Sequence, residues 1–140
     1  RSLIRQCDVL LSTGVIGYVT AKTVSPILDA FGHDARGPLG AVAIMSVLEL
    51  FDPEPIAASF AEHGYRFGQL PIRIPQRRFA DTEERERVLE ALRDRGEPTA
   101  VQDPEDQMFA RLCVAARPQS FEVLSKRMNE VAEALPATCI

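Results

Sequence analysis

The sequence of 140 residues contains no tryptophan and few of the residues that build disulfide frameworks or metal sites. Its three cysteines (Cys7, Cys113 and Cys139) are widely spaced with no CxxC pair, and there are only two histidines. An odd number of scattered cysteines argues against a disulfide framework, and the shortage of histidine and paired cysteine argues against structural zinc. We therefore expect no bound metal and a reducing compartment, with the cytoplasm as the predicted location.

Long apolar runs and blocks of basic charge are also missing. No apolar stretch approaches the roughly 20 residues needed to cross a bilayer, and no basic segment precedes an apolar one at the start of the chain. The net charge is -4, the pI is near 5.2, and lysine and arginine form no long block. A nucleic-acid binder normally carries a basic patch. The sequence thus predicts neither a membrane nor a nucleic acid as partner.

The chain does have enough apolar residues for one core, at 46% apolar and 26% charged, so residues 1–140 are expected to form a single domain. Apolar runs predict strands at 9–11, 40–51, 65–74 and 108–116. The first two runs are continuous, which is typical of parallel strands covered on both faces. Gly68 and Pro71 make the third a bulged strand near a sheet edge.

Helical periodicity with boundary signals follows each predicted strand. The helices are expected over 24–31 before Gly32, from Asp52 to Gly64, from Asp81 to Gly96, and from Pro118 onward. This alternation predicts an α/β fold with a partial doubly wound, Rossmann-like sheet and helices on both faces. The sheet should be mostly parallel, with an antiparallel pair at the C-terminal end.

Three segments carry a family resemblance: CDVLLSTGVIGYV, GAVAIMSVLELF, and HGYRFGQLP followed by PQRRFADTEERERVL. In this order they resemble the fourth, fifth and sixth strand regions of a bacterial class I S-adenosylmethionine-dependent methyltransferase, over residues 6–117. The resemblance implies methyl transfer to a small-molecule acceptor with S-adenosyl-L-methionine as cofactor. The family's glycine-rich loop and ribose-binding acidic residue would lie upstream of Arg1, so the chain is expected to be the C-terminal half of the domain. The cofactor would be bound largely by the absent N-terminal half, and the chain would pair with that half or form a homodimer.

The loop after the first strand is the best candidate site, because open α/β sheets bind ligands at the carboxyl ends of their strands. The resemblance implies that Ser12, Thr13 and Gly14 contact the cofactor and that Gly17 and Tyr18 contact the substrate. The alternative is an ordinary strand-to-helix turn that needs glycine for its backbone angles. The residues alone do not decide between the two.

Arg77 and Arg78 are a second substrate-binding candidate, because paired guanidinium groups suit a carboxylate or a phosphate. The alternative, which we favour, is a solvated loop in which these arginines pair with Asp81 or Glu83.

No catalytic residue is assigned. Methyl transfer from a sulfonium depends mainly on positioning and electrostatics, so it leaves no triad-like signature. A base, if the acceptor needs one, would come from His33, His63 or Glu49. His63 fits better as a cation at a helix C-terminus, and His33 as an exposed loop residue.

Two other functions remain open. The chain could be a non-catalytic α/β binding or assembly module that pairs through an exposed sheet edge. A doubly wound protein that cradles phosphate in the Ser12–Gly17 loop is disfavoured, because the loop lacks the GxxxxGK[ST] and GxGxxG spacings and Lys22 is too far along.

Overall fold

The fold is known from a computed structural model that describes residues 3–13, 21–96 and 107–134. Strands and α-helices alternate through these residues, after a short 3-10 helix at Leu3–Gln6. The strands are β1 (Val9–Thr13), β2 (Val42–Leu48), β3 (Arg66–Arg78) and β4 (Gln107–Ala116). The helices are α1 (Ala21–Ala30), α2 (Glu54–Glu62), α3 (Thr82–Asp94) and α4 (Pro118–Glu133). The order of elements predicted from the sequence is confirmed.

The four strands form one open mixed sheet in the order β1-β2-β4-β3. β1 runs parallel to β2, with Leu11 opposite Ile44. β4 is antiparallel to both of its neighbours, β2 and β3. Three strands therefore point the same way and β4 alone is reversed. The expected antiparallel pair of β3 and β4 is confirmed, but β4 also separates β3 from β2, so the pairings are not mostly parallel.

β4 is an interior strand because its apolar side chains can be buried on both faces of the sheet. Met108, Val114 and Ala116 are buried on one face, and Cys113 and Ala115 on the other. β3 lies at the sheet edge, which is where strands tolerate proline. Its pairing with β4 shifts register between 69 and 73 and between 75 and 77, which confirms the predicted bulged edge strand.

Helices cover both faces of the sheet. α1 and α2 pack on one face around an aromatic group of Phe31, Phe60 and Tyr65, in which the Tyr65 hydroxyl donates to the Phe31 carbonyl at 3.0 Å. On the other face α4 packs over β3 and β4, and α3 packs against Met108. No helix in the described parts of the chain is both long and apolar enough to span a membrane.

β1 differs from the expectation of a strand buried on both faces. It lies at the sheet edge, and the side chains of Val9 and Leu11 are 56% and 68% exposed. Leu10, which points to the other face, packs against the core under α1 and α2. In the described sheet β1 is therefore an edge strand, and its interior position in a larger domain stays a prediction. An apolar run indicates that the side chains of a strand are buried, but it does not indicate which element of the protein buries them.

Candidate functional site

The carboxyl ends of β1, β2 and β3 meet at one edge of the sheet, because these strands share a direction. We call it the carboxyl edge. Thr13 and Leu48 end their strands there, and Arg78 pairs with Gln107 at the start of the reversed β4. Ligands of open α/β sheets bind outside this edge.

The predicted cofactor-binding residues Ser12 and Thr13 lie at the carboxyl edge. They are opposite Met45 and Ser46 in the parallel pairing, with Ser12 partly buried and Thr13 exposed. This is the position that the proposed site requires.

Gly14, Gly17 and Tyr18 lie outside the described residues. Their assigned contacts with cofactor and substrate therefore stay predictions.

Arg77 is held in a local ion pair. Two of its nitrogens donate to the two carboxylate oxygens of Glu84, at 2.6 and 2.8 Å. This is the kind of local pair that the alternative interpretation expected, with Glu84 as the partner in place of Asp81 or Glu83. Three strand spacings, about 14 Å, separate β3 from β1. The structure thus does not bring Arg77 and Arg78 together with the end of β1, and their substrate role stays a prediction.

The same carboxylate caps the start of α3. The Glu84 backbone N–H donates to the Asp81 side chain at 2.7 Å, and the Ala80 N–H donates to the Glu84 side chain at 2.7 Å. This reciprocal arrangement is a capping box, as the sequence predicted. The hydrogen bonds from Arg77 and Ala80 lower the pKa of Glu84 from 4.5 to about 2.

Both histidines lie at the opposite edge of the sheet, where chain segments enter the strands. His33 follows α1 in the loop before β2, and an Arg5 nitrogen lies 3.0 Å from its Nδ1. His63 follows α2, with Nδ1 2.7 Å from the Ser59 carbonyl and Nε2 3.1 Å from an Asp29 oxygen. These contacts hold the His63 ring at the C-terminal end of α2. Neither ring is placed to act at the carboxyl edge.

Glu49 is the remaining candidate base, and it does lie at the carboxyl edge. Its side chain is 4% exposed, and its two oxygens accept from Nε and a terminal nitrogen of Arg73 at 2.6 and 2.9 Å. Nε of Arg111 lies 3.5 Å away, and the Arg73 guanidinium stacks over the Phe109 ring. A base must reach the proton that it removes. These contacts suit a buried counter-ion that ties β2 to β3 and β4 better than they suit a base.

A small cleft opens beside Glu49, between the end of β2 and the start of α2. The space inside it is about 10 Å³, close to the minimum for a single water molecule. Arg111 donates to the Gln69 side-chain oxygen at 3.1 Å, and Arg95 donates to the backbone carbonyl of Glu49. We call this the β2 cleft, and its walls are Val47, Leu48, Glu49, Phe51, Pro53, Gln69, Arg95, Arg111 and Cys113.

The sequence reasoning missed the β2 cleft. A signal was present, because Arg111 interrupts the apolar run of β4 and charged residues are seldom placed in such runs unless they are paired. Its partners come from distant segments, which local patterns do not connect.

Cys113 is fully buried in the floor of the cleft, and burial raises the pKa of its thiol to about 12. Its predicted role as a small core residue is confirmed.

Within the ranges that the structure describes, no group of three or more His, Cys, Asp or Glu side chains is placed to hold a metal ion.

Comparisons with protein-family models, with curated proteins and with solved structures found no match.

Proposed function

We propose that this chain is the substrate-side half of a methyltransferase that uses S-adenosyl-L-methionine to methylate a small molecule. The observation that carries the proposal is the parallel pairing of β1 with β2, which places Thr13 at the carboxyl edge. Within the described residues, the segments that resemble the family lie on β1, on β2 and across β3 and α3.

The exposed side of β1 supports the proposal that an upstream strand and helix cover it in the whole domain. Val9 and Leu11 project from the sheet beyond the cover that α4 provides to β3 and β4. Burial of one such side chain contributes roughly 1.5–3 kcal/mol, so an added strand and helix would stabilise this side of the sheet. An upstream glycine-rich strand, loop and helix paired with β1 would supply that cover and would hold the cofactor at a helix N-terminus.

The residues of this chain would position the reactants. Ser12, Thr13 and Gly14 would contact the cofactor, and Gly17 and Tyr18 would contact the acceptor. The cofactor supplies an electrophilic methyl group when bound, and the strand-end loop would orient the acceptor for in-line attack. Because positioning contributes most of the rate, the proposal requires no assigned base.

The test supplies the proposed upstream half. The DNA immediately before the Arg1 codon is first read for an in-frame segment that encodes a glycine-rich strand-loop-helix. That segment is then expressed joined to this chain. The joined protein is titrated calorimetrically with S-adenosyl-L-methionine. We expect binding by the joined protein and little or none by residues 1–140 alone. Thr13→Val should weaken binding, whereas Thr82→Val, an exposed change on α3, should not. A stop codon and start signal upstream, or a joined protein that does not bind the cofactor, would contradict the proposal.

The exposed edge also favours a second candidate function, a non-catalytic module that assembles through β1. An open apolar strand offers unpaired backbone groups to a second copy. This candidate predicts that the chain sediments as a dimer in analytical ultracentrifugation. Leu11→Lys should dissociate the dimer. The control, Val123→Lys on the exposed face of α4, should leave it intact. A wild-type chain that sediments as a monomer would rule this candidate out.

A further inference from the structure

A surface groove lies between the edge strand β3 and the C-terminal end of α4. β3 departs from its regular pairing with β4 between Gln69 and Arg73. In this bulge Leu70 and Ile72 are buried together with residues of α4, whereas Pro71 stays exposed. We call the space beside the bulge the α4 groove, and its walls are Gln69, Pro71, Asn129, Ala132 and Glu133.

The α4 groove is large enough for a small ligand. It holds about 420 Å³, within the roughly 300–1,000 Å³ of a typical small-molecule site. The Pro71 ring and the Ala132 methyl group give it apolar surface. Three strand spacings, about 14 Å, separate β3 from β1. The groove is therefore separate from the predicted contacts of Ser12 and Thr13.

The wall of the α4 groove is negatively charged. Among the described residues that form it, Glu133 alone carries a charge. Glu133 lies in the last turn of α4, where the backbone carbonyls form the negative end of the helix dipole. A carboxylate is disfavoured at this end, and the last turn contains no basic residue to offset it. A cation in the groove would interact favourably with both the carboxylate and the end of the helix.

Two acceptors in the wall are open to a ligand. Asn129 and Glu133 are exposed, and within the described part of the chain their side chains make no hydrogen bond or ion pair. The Gln69 side-chain oxygen, in contrast, already accepts from Arg111 at 3.1 Å. The open acceptors are thus the Asn129 amide oxygen and the Glu133 carboxylate. A primary ammonium group matches them, because it is a cation with three donors and no acceptor.

We propose that the α4 groove binds a primary ammonium group, carried by a small amine or by a lysine side chain of a peptide. The ammonium donates to the Glu133 carboxylate and to the Asn129 amide oxygen. Its alkyl stem lies against Pro71 and Ala132. Binding requires no cofactor and is independent of the methyltransferase proposal, so the two proposals can fail separately.

The test is an NMR titration of the 140-residue chain that follows the side-chain amide of Asn129 and the backbone amide of Glu133. The probes are n-butylammonium chloride, sodium chloride at the same ionic strength, and n-butanol, which has the same stem without the charge. We expect butylammonium to produce saturable shifts in the millimolar range, and sodium chloride and butanol to produce none that saturate. Linear shifts with butylammonium, or equal binding of butanol, would overturn the proposal.

A blocked lysine, N-acetyl-lysinamide, distinguishes the two sources of the ammonium group. It carries the same head group on a peptide-like backbone. If it binds more tightly than butylammonium, the site takes a lysine side chain of a peptide. If it binds equally or less tightly, the site takes a small amine. Saturable binding of neither ammonium compound would overturn the proposal for both sources.

Variants separate the groove from general charge effects. Glu133→Gln removes the charge at an exposed position and keeps the shape, so the affinity for butylammonium should fall by about 10-fold. Asn129→Ala removes the second acceptor and should cause a smaller loss. The matched control is Glu130→Gln, which removes the same charge from a residue that is outside the groove wall and pairs with Arg127 at 3.5 Å. Unchanged affinity in Glu133→Gln, or an equal loss in Glu130→Gln, would contradict the proposal.

Discussion

Glu49 shows how one buried residue can fix the relative positions of three strands. It follows β2 and binds Arg73 of β3, while Arg111 of β4 lies next to the same carboxylate. A buried ion pair broken on one side leaves its partner without a counter-charge, at a cost of about 3–5 kcal/mol. We therefore predict that Glu49→Gln lowers the free energy of unfolding by about 3 kcal/mol, measured by urea denaturation.

The matched control is Glu122→Gln, which breaks the exposed pair between Glu122 and Arg66. Exposed pairs contribute about 0–1 kcal/mol, so this variant should unfold close to the wild type. Equal effects of the two substitutions would show that Glu49 is not the anchor described above.

Glu84 gives a pH-dependent prediction. Because its pKa falls from 4.5 to about 2 on folding, its contribution to stability is complete above pH 4.5 and is lost as the pH falls toward 2. The stability difference between wild type and Glu84→Gln should therefore be largest near neutral pH and should shrink below pH 4.5. Urea denaturation at several pH values measures this, with Glu83→Gln in the same turn as control. A difference that grows with acidity would contradict the capping role.

At the scale of elements, the contact between β3 and α4 depends on a glycine. Gly68 pairs regularly with Val114, and a Cβ at this position would lie 2.6 Å from the ring of Phe121. Overpacking of this kind costs about 1–3 kcal/mol. We predict that Gly68→Ala destabilises the protein by that amount and that Phe121→Leu relieves part of the loss. A double-mutant cycle by urea denaturation measures the coupling, and purely additive effects would contradict this account of the contact.

The alternation of strands and helices could be predicted from the sequence because apolar periods and caps are local signals. The Asp81 and Glu84 capping box is an example, since its residues lie within one turn. The position of β4 could not be predicted in the same way. Its continuous apolar run indicates an interior strand, but pairing with both β2 and β3 depends on contacts between distant segments.

The candidate site was predictable to the same limited extent. Ser12 and Thr13 could be placed at a carboxyl edge because they end an apolar strand. The grouping of Glu49, Arg73 and Arg111 depends on which strands become neighbours. Side-chain clusters that cross strands follow from topology, so the β2 cleft emerges only with the three-dimensional structure.

At the scale of the whole molecule, both proposed functions depend on the open edge of β1. The methyltransferase proposal requires an upstream strand to pair there, and the assembly alternative requires a second copy to do so. Both follow from an apolar strand that pairs with β2 on one side and exposes Val9 and Leu11. If this edge is covered in the isolated chain, neither proposal stands as described.

Amide hydrogen exchange of the isolated chain, followed by NMR at low protein concentration, tests the open edge most directly. We predict that the amides of β1 exchange on the order of 10- to 100-fold faster than those of β2 and β4, because among the described strands β1 pairs with β2 alone. Protection should rise when the upstream half is joined to the chain, or with concentration if copies assemble. Protection of β1 equal to that of β4 in the monomer would contradict the account.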